Sequence, residues 1–112
     1  MLPPHSRLKS DTDIRRAMST GIRLHGHFVL CHILRSDSEF TRFCVVVPKS
    51  VSKFAVVRNR NKRKVTECIR TKIVPRVQKG YDVVIRLKTD ASEVSPEDLL
   101  KDVTQTLARI LI

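Results

Sequence analysis

Arg58, Asn59, Arg60, Lys62 and Arg63 crowd into a single short stretch, with Lys64 following and Lys49 and Lys53 upstream. Arginines at this density suit phosphate. The planar guanidinium pairs two anionic oxygens at once and can also stack on a base, while lysine acts as a point charge. From Phe40 to Thr66 there is no Asp or Glu, and Arg42 adds a further cation to that window. A basic run alone is often just a solvated helix face. Here it is embedded in a chain that can fold, and a polyanion is the partner that explains it.

Other chemistry is harder to assemble. His25 and His27 could share a strand face, with Cys31 and His32 following. A zinc site needs converging ligands and groups that orient them, and the sequence has no CxxC pair and no HxxxH on a helix. Exposed histidines that touch phosphate when protonated are the simpler reading. Cys44 and Cys68 lie in apolar runs and read as small core residues. Cys31 is open, because its strand could face a groove. An odd number of widely spaced cysteines argues against a disulfide framework and for a reducing cytoplasm. There is no Ser/His/Asp pattern, phosphate-binding glycine loop or dinucleotide fingerprint. Asp82 and Asp90 are too isolated to hold the ions of a metal-dependent nuclease. The chain therefore reads as a binder and not as the carrier of a catalytic group.

The bulk properties agree. The 112 residues make one small domain, expected to span 1–112, and 41% are hydrophobic, enough to build a core. Lys plus Arg number 22 against 11 acids, a net charge of +11 that draws nucleic acid or an anionic surface. No apolar run approaches the ~20 residues of a membrane-spanning helix, and the N-terminus lacks the apolar core of a secretion signal.

The elements that must position the cations follow from periodicity. Residues 1–9 read as a mobile lead-in. Ser10 caps a helix over Asp11 to Ser19, with Asp11 and Asp13 at the positive end of its dipole and Gly21 as a stop. A short strand opens at Ile22, Gly26 bends the chain, and Phe28 to Arg35 forms a longer strand. Asp37 and Ser38 turn it into Thr41 to Val47, whose nearly continuous apolar character suggests a central strand covered on both faces. Pro48 ends it. The basic block becomes an amphipathic helix over Phe54 to Ile73. Val57, Val65, Cys68 and Ile69 lie on one side and Asn59, Arg60, Arg63 and Arg70 on the other, with Arg58 and Lys62 at the boundary. Asn61 falls among the apolar positions. After Pro75 and Gly80, Tyr81 to Lys88 is a strand and Thr89 to Glu93 a loop. Ser95-Pro96-Glu97-Asp98 starts a last helix with Leu99, Leu100, Val103, Leu107, Ile110 and Leu111 as its stripe. The expected fold is a layered α+β (α/β) sandwich in the order helix, two or three strands, basic helix, strand, helix. Folded RNA suits such a surface better than duplex DNA, since strands and not a second helix flank the basic helix.

Arg58-Asn59-Arg60-Asn61-Lys62-Arg63, preceded by Lys49 and Ala55-Val56-Val57, resembles the signature of the bacterial ribonuclease P protein subunit. The likeness extends to Arg7-Leu8-Lys9, Asp13 and Gly21, to Phe28-Val29-Leu30, to Arg42 through Lys49, and to Tyr81 through Ile85. It implies a small subunit of a ribonucleoprotein endonuclease in the cytoplasm. In that family a large RNA with bound Mg²⁺ removes the 5′ leader of precursor tRNA. The protein binds that RNA and holds the leader in a cleft between sheet and helix. A left-handed strand–helix–strand crossover is also implied, against the general rule. By matching positions, Arg58, Asn59, Arg60, Lys62 and Arg63 would contact the catalytic RNA, with Lys49 and Lys53 extending that surface. Ile14, Met18 and Cys31 stand at cleft positions where the family commonly has aromatics, and Arg86 and Lys88 are the basic residues expected beside them. Asn61 replaces the usual Ile. The partners implied are ribonuclease P RNA and precursor tRNA, with no membrane and no small-molecule substrate. Two other readings compete: a ribosomal-type RNA-binding protein without an enzymatic role, and a protein-only nuclease using His25, His27 or Cys31.

Overall fold

Ser10 stands outside the first helix in extended conformation and its hydroxyl accepts the Asp13 backbone N–H, so α1 runs Asp11–Thr20 with its first turn acidic. A computed structural model describes residues 2–112. After α1 come β1 (Ile22–His25), β2 (Val29–Arg35), β3 (Arg42–Val46), α2 (Ala55–Cys68), β4 (Tyr81–Leu87) and α3 (Pro96–Thr106). The four strands form one sheet in the order β1-β2-β4-β3. β1–β2 and β2–β4 are antiparallel, and β3–β4 are parallel through the α2 crossover.

The sheet has helices on both faces. On one face Val29, Cys31, Ile33, Phe43, Val45, Val83, Ile85 and Leu87 pack with Val65 and Ile69 of the basic helix and Leu99, Val103 and Leu107 of the last one. On the other, α1 lays Ala17, Ile14 and Met18 over Val84, Leu34, Cys44 and Val46. Alternation along the strands sorts these two sets. At its C-terminal end α2 passes into a wider π-type segment, Ile69–Ile73, which keeps Ile69 and Ile73 both buried. In α3, Ser95 accepts the Asp98 N–H and Pro96 takes the first turn. Asp102 is buried and its carboxylate accepts the N–H groups of His27 (2.6 Å) and Phe28 (2.7 Å), clamping the β1–β2 turn to α3. Gly26 sits in that turn because a Cβ there would lie 2.3 Å from the Thr106 hydroxyl. Gly80, before β4, takes a φ of +89°, which a side chain would resist.

Two expectations are corrected. β3 is an edge strand, and the two interior positions belong to β2 and β4. The apolar run of β3 reports one buried face, Phe43 and Val45, and a second, with Cys44 and Val46, half covered by α1. The N-terminal segment, expected to be mobile, is packed. Leu2, Ser6 and Leu8 are buried, a 3₁₀ turn spans Pro4–Ser6, and the Leu8 N–H donates to the Phe43 carbonyl (2.9 Å) along the β3 edge. Two leucines that need burial outweigh the prolines that suggested looseness.

Candidate nucleic-acid interface

The basic helix is set up by the turn before it. Pro48 ends β3, the Val51 N–H donates to the Pro48 carbonyl (3.0 Å), and the Phe54 N–H donates to the Ser52 hydroxyl (3.2 Å). No side chain caps α2 and its first turn has no acid. The positive end of the helix dipole therefore adds to the side-chain charge.

The structure separates the cations of this region by use. Lys49, Lys53, Arg60, Lys62 and Arg63 are exposed, as is Asn59, and none of these cations pairs with a carboxylate among the described residues. Arg58 is half-buried and donates one N–H to the Ser52 carbonyl (2.9 Å), keeping further donors for a ligand. Lys64 is spent internally: its ammonium donates to the carbonyls of Ala91 (2.8 Å) and Val94. Arg70 pairs with Glu67, and Arg42 forms a bidentate pair with buried Asp82 (2.9 and 2.8 Å). What remains for a polyanion is the exposed helix side of Asn59, Arg60, Lys62 and Arg63, with half-buried Arg58 at its boundary, continued by the Lys49–Lys53 turn. The same side borders a cleft of about 510 Å³ at the β3 edge, floored by Leu8, Phe43 and Val45 and rimmed by Lys62 and Arg63.

Asn61 is 1% exposed and fully partnered. Its amide donates to the Val57 carbonyl (3.0 Å) and to Asp90 (3.0 Å), and its oxygen accepts the Ala91 N–H (2.8 Å). With Lys64 it ties the β4–α3 loop to α2. Bonds from the Ser92 hydroxyl and from Asn61 hold the Asp90 carboxyl below its ordinary range.

A second surface lies across the sheet, where α1 leaves part of its face uncovered. The strand register sets Arg23, His32, Val84 and Cys44 in one row, and His25, Leu30, Arg86 and Val46 in the next. Ile14 and Met18 form the α1 wall of this groove, and Arg86 is half-buried on its floor. Lys88 lies beyond the strand and donates to the Gly26 carbonyl (2.9 Å) in the β1–β2 turn. Cys31 is not in the groove. Its side chain is 0% exposed on the opposite face, among the residues that pack with α2 and α3. Burial, aided by the charge of Asp102, pushes its thiol up to about 12. That removes Cys31 both as a cleft residue and as a nucleophile. The neighbour that does face α1 is His32, 4% exposed, whose Nδ1 has no hydrogen-bond partner among the described residues. Burial and the nearby charges of Arg23, Arg86 and His25 lower its pKa. Sequence reasoning missed His32 and Arg23. Period-two alternation was the available signal, but it leaves open which set of β2 faces which helix. His25 and His27 do not converge with other ligands: no group of three His, Cys, Asp or Glu suited to a metal occurs among the described residues.

Known proteins share this fold. A family model described as Ribonuclease P matches residues 2–111. A ribonuclease P protein component from Pseudanabaena sp. is 34% identical over 97% of this chain and 94% of its own length. One from Microcystis aeruginosa is 35% identical over 96% and 92%. Among solved structures, the ribonuclease P protein from Thermotoga maritima superposes with a TM-score of 0.81 over 93% of this chain and 96% of that one at 24% identity. That from Staphylococcus aureus does so with 0.79 over 96% and 98% at 18%. Those two show a shared fold, and the family match with its closer relatives shows that this chain belongs to the ribonuclease P protein component family.

Proposed function

We propose that the chain is the protein subunit of a cytoplasmic ribonuclease P holoenzyme. In this reading it binds the catalytic RNA through α2 and the 5′ leader of precursor tRNA through the α1 groove, and so promotes Mg²⁺-dependent leader removal. The observation that supports it most is the set of exposed Arg60, Lys62 and Arg63 with half-buried Arg58 beside them, none with a carboxylate partner among the described residues, while Lys64, Arg70 and Arg42 are used within the fold. Unpaired cations fixed on one rigid helix side match a phosphate array and pay little ordering entropy on binding.

The chemistry belongs to the RNA in this scheme. Lys49 through Arg63 contains no carboxylate, and the one that lies against it, Asp90, is engaged by Asn61 and Ser92, so no cluster of oxygen ligands for a hard dication forms among the described residues. The place of Mg²⁺ is on the RNA. The α2 cations lower the phosphate repulsion that would otherwise call for more Mg²⁺. In the groove, Arg23 and Arg86 supply phosphate donors, while Ile14, Met18 and Leu30 supply apolar contact to bases. The test is cleavage of a precursor tRNA by the matching ribonuclease P RNA at low Mg²⁺, with and without this chain. Strong stimulation that disappears on neutralising Arg58 and Arg60 is expected. RNA binding without stimulation would instead leave a structural RNA-binding protein.

A further inference from the structure

Phosphate contacts fix register but carry no information about bases, and the only rings among the described residues of the groove are imidazoles, His25 exposed and His32 buried, with no phenyl or phenol ring. An aromatic ring is nevertheless presented to solvent elsewhere. Phe54, the residue that precedes the first turn of α2, is 61% exposed. We propose that Phe54 is a stacking platform for an unpaired base of the RNA subunit, set beside the phosphate-binding cations of α2. This rests on the RNA-binding reading above and adds to it a contact to a base.

The other phenyl and phenol rings are less exposed or already paired with a neighbour, Phe40 being the most open of them at 42%. Phe43 is buried, Phe28 is half-buried against His27, Phe40 lies against the His5 ring at 4.3 Å, and Tyr81 is half-buried beneath the Arg35 guanidinium at 5.4 Å. Phe54 has the Lys53 ammonium 5.4 Å from its centroid and no aromatic neighbour among the described residues. Its backbone is fixed at both ends: its N–H donates to the Ser52 hydroxyl and its carbonyl accepts the Arg58 N–H (3.1 Å). Arg58 stands four residues on and reaches back to the Ser52 carbonyl, which brings the guanidinium along the turn that bears the ring. A base on the ring would therefore have Lys53 and Arg58 at hand for its own phosphates. Charge decides the class of partner. An apolar protein segment docking here would have to face Lys49, Lys53, Arg58 and Arg60, whereas a nucleotide offers both a π-face and an anion. The RNA subunit is favoured over the leader because α2 covers the sheet face opposite the groove.

The experiment titrates the full chain, as wild type and as Phe54→Ala, Phe54→Leu and Phe54→Trp, with ribonuclease P RNA over a KCl series, folding being checked by circular dichroism. A parallel titration measures precursor tRNA binding by the assembled holoenzyme. Phe54→Ala should weaken RNA-subunit binding roughly 5- to 150-fold, the range of one base stack of ~1–3 kcal/mol, with an unchanged log–log salt slope. Phe54→Leu should recover part of the loss. Phe54→Trp should restore it, with indole fluorescence quenched on binding. Phe54→Ala within twofold of wild type, Phe54→Leu equal to wild type, or a loss accompanied by a shallower salt slope would overturn the stacking assignment. A loss confined to precursor tRNA would move the base to the leader and overturn the assignment to the RNA subunit. A wild-type chain that does not bind the RNA would sink the underlying reading itself, an outcome distinct from neutral Phe54 variants on a binding scaffold.

Discussion

At the scale of single residues, the two side chains that look out of place are the ones whose environment is most specific. Asn61 stands where a hydrophobe suits the helix pattern, and the fold answers with three hydrogen bonds from a side chain that is almost wholly buried. Asn61→Ala would strand the Ala91 N–H in the interior, so urea denaturation should show a loss of ~1–3 kcal/mol. An unchanged stability would mean that water replaces the amide. His32 is the converse case, a buried polar ring with an unpartnered nitrogen. Its folded pKa is lowered by burial first, then by Arg23, Arg86 and His25, so the native state favours the neutral ring. Its contribution is complete above the ordinary histidine value of about 6.5 and is lost as pH falls through that value toward the folded one. The urea midpoint of the wild type should therefore drop between pH 7.5 and 5, and His32→Leu should flatten that dependence. A variant with the same pH profile as the wild type would clear His32 of the role.

At the scale of elements, α2 divides its cations between ligand and scaffold, and this division can be measured. Neutralising Arg60 should leave the unfolding midpoint nearly unchanged, since an exposed charge without a carboxylate partner contributes little to stability, whereas neutralising Arg58 as well should cost about 1 kcal/mol for its bond to the Ser52 carbonyl. Either change should reduce the log–log salt slope of RNA binding by ~0.7–0.9 per lost phosphate contact. Lys64→Met should do the opposite. It leaves the carbonyls of Ala91 and Val94 without their donor and should lower stability while the salt slope stays put. If Lys64→Met changed the slope and not the stability, the ammonium would be reaching the RNA. The contrast also shows what the sequence could and could not disclose. Helix starts at Ser10 and Ser95, the strand runs, and the apolar stripe from Leu99 to Ile110 were legible because local chemistry determines them. That Arg60 is free and Lys64 is not depends on where the loop at residues 90–94 returns, a contact some 30 residues away along the chain. The same distance problem hid the buried clamp of Asp102 on the β1–β2 turn, and it set Cys31 instead of His32 at the groove. Strand alternation gives two faces, and only the packing of α1, α2 and α3 tells which is which.

At the scale of the whole molecule, the sheet works as a partition. α2 and its cations lie on one side, and α1 with the groove lies on the other. β4, with Val83, Val84 and Ile85 all fully buried, is a rigid floor common to both. Arg86 on β4 faces the groove, three residues beyond Val83 on the α2 side. On the proposed reading, such an arrangement would let one small domain hold two RNA segments at a fixed separation without a conformational change, which favours proximity over switching. The consequence is separability. Arg86→Gln should weaken binding of precursor tRNA by the holoenzyme while leaving binding of mature tRNA, and assembly of the chain with the RNA subunit, unaltered. The loss should be about 10-fold if one charge-assisted phosphate contact of ~1.5 kcal/mol is removed, and it should shrink as the leader is shortened to nothing. Arg60→Gln should instead raise the protein concentration needed for assembly, with no dependence on leader length. The measurement is a matched pair of titrations, with and without a leader, for each variant. If Arg86→Gln impaired assembly as much as leader binding, the two faces would be reading one continuous RNA surface wrapped around the β3 edge. The cleft between Leu8 and Lys62 would then be the place where it crosses.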